Sequence, residues 1–443
     1  MYNQAAQRSP PDSNAISCRV IWRAHYRRVG LAVVILAASC AGSANADFHP
    51  LRQSWVRHTG GPIAARPVES KGVVFAGSWD GREYAIRAKD GRVLWMAPLG
   101  TTHSELCPRN GTAGITSAPV VTGATAYLGG GDAYWYALNT STGAVRWRVP
   151  TGDNSPAGGH YNWSSPAVFG GHAFVGISSF CDSPLVQGQL LRVDLASHAI
   201  DGVWNVVPDG RQGGTIWTTP VVDSARNRLF VTTGNGDDTY AESIVAVDID
   251  SMLPLDSWKL GTSERVVDSD WGTSPTLLSD SHGRRLVAAA NKNGVLYAWR
   301  RNALHDGPVW RRRVAVGGEC PNCGSGTVST GTFDGHRLFY AGGGTVIRKH
   351  KYRGSVRAID PATGRVLWSR GLPGAVLGAL VRAPGRLFVA AEHGLYMLRS
   401  RDGALLHENR FPFDRLWSTP LVDRTRVVIG SVSGAIRAFR LPH

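Results

Sequence analysis

Four short polar segments combine residue types that could do chemistry. They are residues 213–217 (Gly-Gly-Thr-Ile-Trp), 233–236 (Thr-Gly-Asn-Gly), 268–271 (Asp-Ser-Asp-Trp) and 291–294 (Asn-Lys-Asn-Gly). An aspartate can accept a proton, amide and carboxylate oxygens can bind a hard cation, and an indole offers a flat face for stacking. Each segment also has a purely structural interpretation, since an asparagine between glycines favours a turn, aspartates cap turns, and a lysine often lies at the surface. Their chemistry therefore depends on whether the fold brings the four segments together.

An internal repeat predicts that fold. Residues 84–95, 136–147 and 357–368 are copies of one pattern, which ends in Gly-x-Val-x-Trp. Looser copies have at the equivalent position Trp204, Trp258, Trp310 and His407. Successive tryptophans from Trp95 to Trp368 are 52 to 58 residues apart. Repeats of this length with several short strands are typical of propeller blades or solenoid turns.

The ends of the chain favour a closed ring over an open array. The last copy stops at residues 438–440, before its Trp-bearing strand, and an orphan strand with Trp55 lies near the N-terminus. Pairing the two segments completes one blade and removes both sheet edges, which otherwise invite aggregation. We therefore predict an all-β, eight-bladed β-propeller, closed by pairing of its N- and C-terminal strands, as a single domain over residues 47–443. The repeated tryptophans should pack between blades and not contact a ligand.

Most repeat units carry a second mark, a Ser/Thr-x-Pro that opens a β-branched run. Its prolines are Pro119, Pro166, Pro220, Pro275 and Pro420. Proline is tolerated at the first residue of a strand because no ladder hydrogen bond is lost there. Each mark therefore indicates where the first strand of a blade begins.

The N-terminal residues 1–46 are predicted to be a signal peptide. Arg27 and Arg28 precede an apolar run at residues 29–38, and small residues ending in Ala-Asn-Ala at 44–46 follow it. The run is too short to span a bilayer, and no later stretch is long and apolar enough, so we expect an exported protein, periplasmic or extracellular, without a transmembrane segment. The formal charge of +15 falls to about +11 without these residues. We interpret this charge as a solubility feature of a monomer and expect no nucleic-acid partner.

Four cysteines remain in the mature chain, and their even number favours disulfides in an oxidising compartment. Cys320 and Cys323 form a C-x-x-C that could be half of a zinc site, but no second C-x-x-C or spaced histidine pair completes it. Gly324 follows Cys323, so the segment is not a C-x-x-C-H haem attachment. We predict one bridge between Cys320 and Cys323 and a weaker second pairing between Cys107 and Cys181.

Taken in order, the four polar segments resemble those of the pyrroloquinoline-quinone (PQQ) dependent alcohol dehydrogenases. That family has an eight-bladed fold with a Gly-Gly-Thr-x-Trp segment, a Thr-Gly-Asn turn, a Trp-Asp-Tyr segment and a Lys/Arg-Asn-Gly turn. The resemblance covers essentially the whole mature chain, including residues 374–378. By length and by residues 179–189, the chain is most similar to short PQQ-repeat proteins that resemble polyvinyl-alcohol dehydrogenases.

The resemblance implies a cofactor site for PQQ. Trp217 would be the aromatic floor under the quinone, with Thr215 as a further cofactor contact, and Lys292 would be a cation near the quinone oxygens. Asp270 would be the general base that removes the alcohol proton while hydride leaves carbon. This set of roles is a prediction that the geometry can support or oppose.

The resemblance also implies a Ca²⁺ site, with Asn235, Asp182 and Asp270 as oxygen ligands. The chain departs from the family here, because Asp182 lies near where the family has a glutamate. The adjacent cysteine pair that caps the quinone is missing, since Cys107 is followed by a proline, and Arg109 lies only near the position of a cofactor-contacting arginine. These departures leave a second interpretation open.

Two functions therefore follow from the sequence. The first is an exported PQQ-dependent dehydrogenase that oxidises an alcohol, small or polymeric, and passes electrons to a separate cytochrome or other acceptor, since the chain has no haem motif. The second is a non-catalytic PQQ-like propeller that serves as a protein-interaction scaffold.

Overall fold

Antiparallel strands form the regular structure of this chain, as predicted. The computed structural model describes residues 50–104 and 111–442, and these contain eight main sheets and only three short 3₁₀ turns, at Ser224–Arg226, Thr262–Glu264 and Pro321–Cys323. Within these ranges no helix has the length and hydropathy needed to cross a bilayer. The predicted signal peptide lies outside the described residues.

The first half of the chain supplies one separate strand and then four blades. Strand β1 is Gln53–His58. Blade 1 consists of β2 (Val68–Ser70), β3 (Val73–Gly77), β4 (Arg82–Arg87) and β5 (Val93–Pro98). A hairpin of β6 (Thr102–His103) and β7 (Thr112–Ala113) follows. Blade 2 consists of β8 (Val120–Thr122), β9 (Thr125–Gly129), β10 (Tyr134–Asn139) and β11 (Val145–Pro150). Blade 3 consists of β12 (His160–Tyr161), β13 (Ala167–Phe169), β14 (His172–Ser179), β15 (Gln189–Asp194) and β16 (Ala199–Asn205). Blade 4 consists of β17 (Val221–Asp223), β18 (Arg228–Thr232), β19 (Ser243–Asp248) and β20 (Pro254–Lys259).

The second half supplies the other four blades. Blade 5 consists of β21 (Thr276–Ser279), β22 (Arg285–Ala290), β23 (Val295–Arg300) and β24 (Trp310–Arg313). Blade 6 consists of β25 (Thr332–Phe333), β26 (Leu338–Gly342), β29 (Gly354–Ile359) and β30 (Val366–Leu372), with a hairpin of β27 (Thr345–Ile347) and β28 (His350–Tyr352) between its second and third strands. Blade 7 consists of β31 (Val381–Ala383), β32 (Arg386–Ala391), β33 (Gly394–Arg399) and β34 (Leu405–Arg410). Blade 8 consists of β35 (Leu421–Val422), β36 (Arg426–Gly430), β37 (Ala435–Arg440) and the N-terminal β1.

The ring closes through its two ends, which confirms the prediction. Strand β1 pairs antiparallel with β37, and Trp55 lies opposite Ala438 while His58 lies opposite Ala435. The pairing supplies blade 8 with its fourth strand, the one that carries the tryptophan in most other blades. An unpaired β37 would expose a row of backbone donors and acceptors to other chains.

The tryptophan of the fourth strand joins one blade to the next. The Trp55 indole Nε1 donates to the carbonyl of Ala88 in blade 1 at 2.9 Å, and its ring lies on the turn at Gly91. A Cβ at Gly91, whose φ is +75°, would come within 2.7 Å of that ring, so the contact requires glycine. The same bond joins other pairs of blades, from Trp95 to Thr140, Trp310 to Pro361 and Trp368 to Ser400. The predicted role of these tryptophans in blade packing is confirmed.

The hydrophobic core lies between the blades. Eight buried apolar clusters occur among the described residues, and each combines side chains of two neighbouring blades. The Ser/Thr-x-Pro prolines directly precede the first strands β8, β13, β17, β21 and β35. The start of the first strand, or the Ser/Thr-x-Pro segment directly before it, lines a cavity of about 590 Å³ in each of the eight blades, so this strand is the innermost. The connections that lead into the inner strands therefore reach the ends of a central channel.

Replacing Trp55 tests whether its contact with blade 1 stabilises the closed ring. Trp55→Ala should lower the free energy of unfolding by about 3–5 kcal/mol, because it deletes a buried indole at the joint between blades 8 and 1. Gln53→Ala is the matched control, since Gln53 is exposed on the same strand, and it should change that free energy by less than about 0.5 kcal/mol. Urea unfolding measures both, and equal values for the two variants would contradict the closure contact.

Candidate active site

A cavity of about 250 Å³ brings together five of the six predicted site residues, and the sixth, Asn235, does not line it. Its lining consists of Trp163, Ser179, Phe180, Cys181, Asp182, Thr215, Trp217, Asp268, Asp270 and Lys292. Blades 3, 4 and 5 contribute these side chains from connections before a first strand or after a second strand. The cavity therefore lies at one mouth of the propeller, where side chains from several blades converge.

Two glycines hold the segment with Thr215 and Trp217 against the turn that carries Asn235. Gly213 and Gly214 have φ values of +110° and +64°. The Gly214 amide donates to the carbonyl of Asn235 at 2.7 Å, and a Cβ at Gly213 would come within 2.7 Å of that same oxygen. A side chain at Gly213 would therefore separate the two segments.

Lys292 forms the centre of a buried charge cluster. Its Nζ donates to Asp268 Oδ2 at 2.6 Å and to Asp270 Oδ2 at 2.8 Å. The same ammonium lies 5.3 Å from the ring centroid of Trp217, which is within the range of a cation–π contact. Asp270 and Lys292 are only 5% and 8% exposed. Trp217, Asp270 and Lys292 thus form one contiguous unit.

The environment changes the acidity of this unit. Burial raises the pKa of Asp270 to about 6, helped by the charges of Asp268 and Asp182 and opposed by Lys292. Burial alone would lower the pKa of Lys292, but the charges of Asp270 and Asp268 outweigh burial and raise that pKa. A carboxyl group with a pKa near the working pH is well suited to take up and release a proton.

Three carboxylates accept hydrogen bonds from Asn235. The Asn235 amide nitrogen donates to Asp268 Oδ1 at 3.1 Å and to Asp182 Oδ2 at 3.5 Å, while its backbone amide donates to Asp270 Oδ1 at 2.7 Å. Ser179 Oγ holds Asp182 by donating to Oδ1 at 2.5 Å. Three carboxylates and an amide form the kind of donor set that hard cations such as Ca²⁺ require. The residue types therefore suit a metal of that class, but in this arrangement Asn235 presents its amide nitrogen to the carboxylates and Lys292 Nζ lies between Asp268 and Asp270.

Sequence reasoning missed part of the cavity. The sequence assigns Asp268 no role in the site, yet its carboxylate accepts hydrogen bonds from Lys292 and Asn235. Trp163 and Phe180 form an aromatic wall, with their rings stacked at a centroid distance of 6.2 Å. A signal was available for Trp163, because Trp-Ser-Ser-Pro at residues 163–166 repeats the Trp-Thr-Thr-Pro pattern that contains Trp217.

The cysteine predictions have different outcomes. Cys320 and Cys323 form a disulfide with an S–S distance of 1.96 Å, which confirms the local bridge. Cys181 takes part in a disulfide and lines the cavity. Its predicted partner Cys107 lies outside the described residues, as does Arg109, so that pairing stays a prediction.

Comparison with known proteins shows the family of this propeller. The chain belongs to the PQQ-repeat family described as outer membrane protein assembly factor BamB, which matches residues 17–303 and 352–441. The polyvinylalcohol dehydrogenase of Sphingopyxis sp. is 24% identical over 73% of this chain and 55% of its own length. The chain therefore spans little more than half the length of that dehydrogenase.

Solved structures show the same fold. The quinohemoprotein alcohol dehydrogenase of Comamonas testosteroni superposes with a TM-score of 0.69 at 16% identity, over 88% of this chain and 76% of that one. BamB of Moraxella catarrhalis superposes with a TM-score of 0.60 at 16% identity, over 89% of this chain and 99% of that one. An enzyme and an assembly factor thus share this architecture, so function must be argued from the site.

The raised pKa of Asp270 predicts a pH dependence of stability in the metal-free protein. The folded state holds this proton up to a pH of about 6, while an unfolded aspartate loses it near about 3.9. The folded state therefore binds more protons in this window, and wild type should lose stability relative to Asp270→Asn as pH rises from about 4 to about 6. Urea unfolding across this range measures the difference.

A second variant checks the cause. Asp268→Asn should keep the pH dependence but end it at lower pH, because the charge of Asp268 raises the pKa of Asp270. Parallel stability curves for wild type and Asp270→Asn would show that burial does not shift this group.

Proposed function

We propose that the protein is an exported PQQ-dependent dehydrogenase that oxidises an alcohol and passes the electrons to a separate acceptor. The observation that carries this proposal is the convergence of Trp217, Asp270 and Lys292 in one cavity at the propeller mouth. These residues come from two blades and from separate segments of the chain, and they meet with an aromatic face, a carboxylate and a cation in mutual contact. If these residues served only as a surface turn or a helix or turn cap, contact between all three side chains would not be needed.

PQQ would lie in this cavity as a flat, anionic ring system. Trp217 offers its ring face to the cofactor, and Trp163 and Phe180 wall the cavity. Lys292 supplies a positive charge for the quinone or carboxylate oxygens, and Thr215 lines the same space. When bound, PQQ supplies the two-electron acceptor that side chains lack.

Asp270 would remove the hydroxyl proton of the alcohol. Its carboxyl group is buried beside the cavity, and its pKa of about 6 leaves it largely ionised at neutral pH yet able to hold a proton. Asp182, Asn235 and Asp270 would hold a Ca²⁺ ion, with Asp268 as a further carboxylate that the sequence did not assign. In that position the metal would polarise the quinone.

The substrate is proposed as an alcohol, with a polymeric alcohol as one option, because the similar proteins are named as polyvinylalcohol and quinohemoprotein alcohol dehydrogenases. A separate cytochrome or other acceptor would receive the electrons, since the sequence contains no C-x-x-C-H segment. Export follows from the predicted signal peptide at residues 1–46.

A non-catalytic scaffold is the second candidate. The family description, an outer membrane assembly factor, favours it, and so do the departures at Asp182 and Cys107. Purified mature protein mixed with PQQ and Ca²⁺ separates the two functions: a cofactor absorption band with dye-linked alcohol oxidation supports the enzyme, and no PQQ binding supports the scaffold.

Removing the proposed floor should weaken cofactor binding. Trp217→Ala should bind PQQ at least about tenfold more weakly, because stacking on a large aromatic face contributes on the order of a kcal/mol beyond area burial. Phe413→Ala is the control, since Phe413 is a fully exposed aromatic residue outside the cavity. Titration of PQQ followed by absorption measures both, and equal affinities would show that Trp217 is not the floor.

Removing the proposed base should stop turnover and spare binding. Asp270→Asn preserves the shape of the side chain but lacks its basicity, so alcohol oxidation should fall by about 10²–10⁴-fold while PQQ affinity changes little. Asp306→Asn, at an exposed site outside the cavity, should oxidise alcohols like wild type. A dye-linked assay together with PQQ titration makes the comparison, and a fully active Asp270→Asn would refute the proposed mechanism.

A further inference from the structure

The axial cavity of about 590 Å³ has an unusual lining. It is built from inner strands and from the Ser/Thr-x-Pro connections, so most of its lining is apolar or carries hydroxyl groups. Arg66 is the only charged side chain in the described part of this lining, and no aspartate or glutamate accompanies it. A single cation therefore faces a channel with no anionic partner in its wall.

Arg66 is held in this position by the start of blade 1. It precedes Pro67 and strand β2, at the place where other blades have the middle residue of Ser/Thr-x-Pro. Arg66 is exposed and lines the channel. The protein packed around its guanidinium lowers the pKa of Arg66 by partial burial, and no carboxylate opposes this effect among the described residues. A desolvated guanidinium without a counter-charge gains most from an anion beside it.

Hydroxyl groups from five other blades line the same cavity at the equivalent position, on Ser165, Thr219, Ser274, Thr330 and Thr419. In four of these blades the hydroxyl oxygen accepts a backbone N–H from the preceding blade at 2.8–3.0 Å, in the pairs Ala118 to Ser165, Thr219 to Ser274, Ser274 to Thr330 and Ala379 to Thr419. A hydroxyl group has one hydrogen to donate in addition to its acceptor capacity. No described residue accepts a hydrogen from these four hydroxyl oxygens, so their donors remain available to the channel.

We propose that the central channel binds a small oxyanion, carrying phosphate or carboxylate oxygens, between Arg66 and this ring of hydroxyl groups. A guanidinium and several O–H donors match charged oxygens, whereas a cation would meet no carboxylate in the described lining. None of these residues lines the cavity with Asp270 and Lys292. The site is therefore separate from the candidate active site and does not depend on PQQ.

Calorimetric titration of the mature protein with sodium phosphate, and separately with sodium citrate, at pH 7 and fixed sodium chloride tests the proposal. Wild type should show saturable binding of at least one of the two probes, and the stronger binder identifies phosphate or carboxylate chemistry. Arg66→Gln should bind at least about tenfold more weakly, because a charge-assisted hydrogen bond is lost. Arg66→Lys retains the positive charge but lacks the planar, bidentate guanidinium. Its affinity for the probe should therefore lie between those of wild type and Arg66→Gln.

Arg92→Gln is the matched control, because Arg92 is an exposed arginine of the same blade outside the cavity, and it should bind like wild type. Arg66 forms no ion pair with any residue in the described ranges 50–104 and 111–442, so thermal unfolding of Arg66→Gln without added anion should match wild type. The proposal is overturned if wild type binds neither probe saturably, or if Arg66→Gln and Arg66→Lys bind the probe as tightly as wild type does.

Discussion

The contact on which this structure depends joins the tryptophan of one blade to the turn of the next. An indole that donates to a backbone carbonyl and packs flat on a glycine fixes both the distance and the orientation of two neighbouring blades. It occurs at four joints between described blades, from Trp55, Trp95, Trp310 and Trp368, and the pairing of β1 with β37 completes the circle. The closed ring in turn brings residues of three different blades to the mouth cavity.

Burying the charge cluster at the mouth costs folding free energy. Removing two carboxylates and an ammonium from water is expensive, and apolar residues of similar size often stabilise a protein as well or better. The cluster compensates in part, because Lys292 donates to both aspartates and the Asn235 backbone amide donates to Asp270. The raised pKa of Asp270 shows that compensation is incomplete. Groups poised in this way concentrate at functional sites.

The sequence predicted the ring because its signals repeat. Gly-x-Val-x-Trp recurs often enough that single departures do not hide it, and the structure explains one of them: His198 replaces the turn glycine, adopts a φ of +62°, and stacks on Trp147 at 4.7 Å. The mouth offered no such redundancy. Asp268 and Asp270 are two residues apart, and spacing alone would send such side chains in the same direction only in an extended strand. In this loop both reach Lys292, which only the three-dimensional path of the chain reveals.

The positions equivalent to Lys292 show that the fold itself does not need a charge there. The second residue after the second strand is Gly131 in blade 2 and Gly344 in blade 6, and both blades have the same four-stranded form as blade 5. The blade could therefore keep its shape without Lys292, and Asp270 would then retain only the backbone amide of Asn235 as a partner among the contacts described above. Because the framework tolerates glycine at the position of Lys292, the stability of the ring alone does not account for a buried ammonium there.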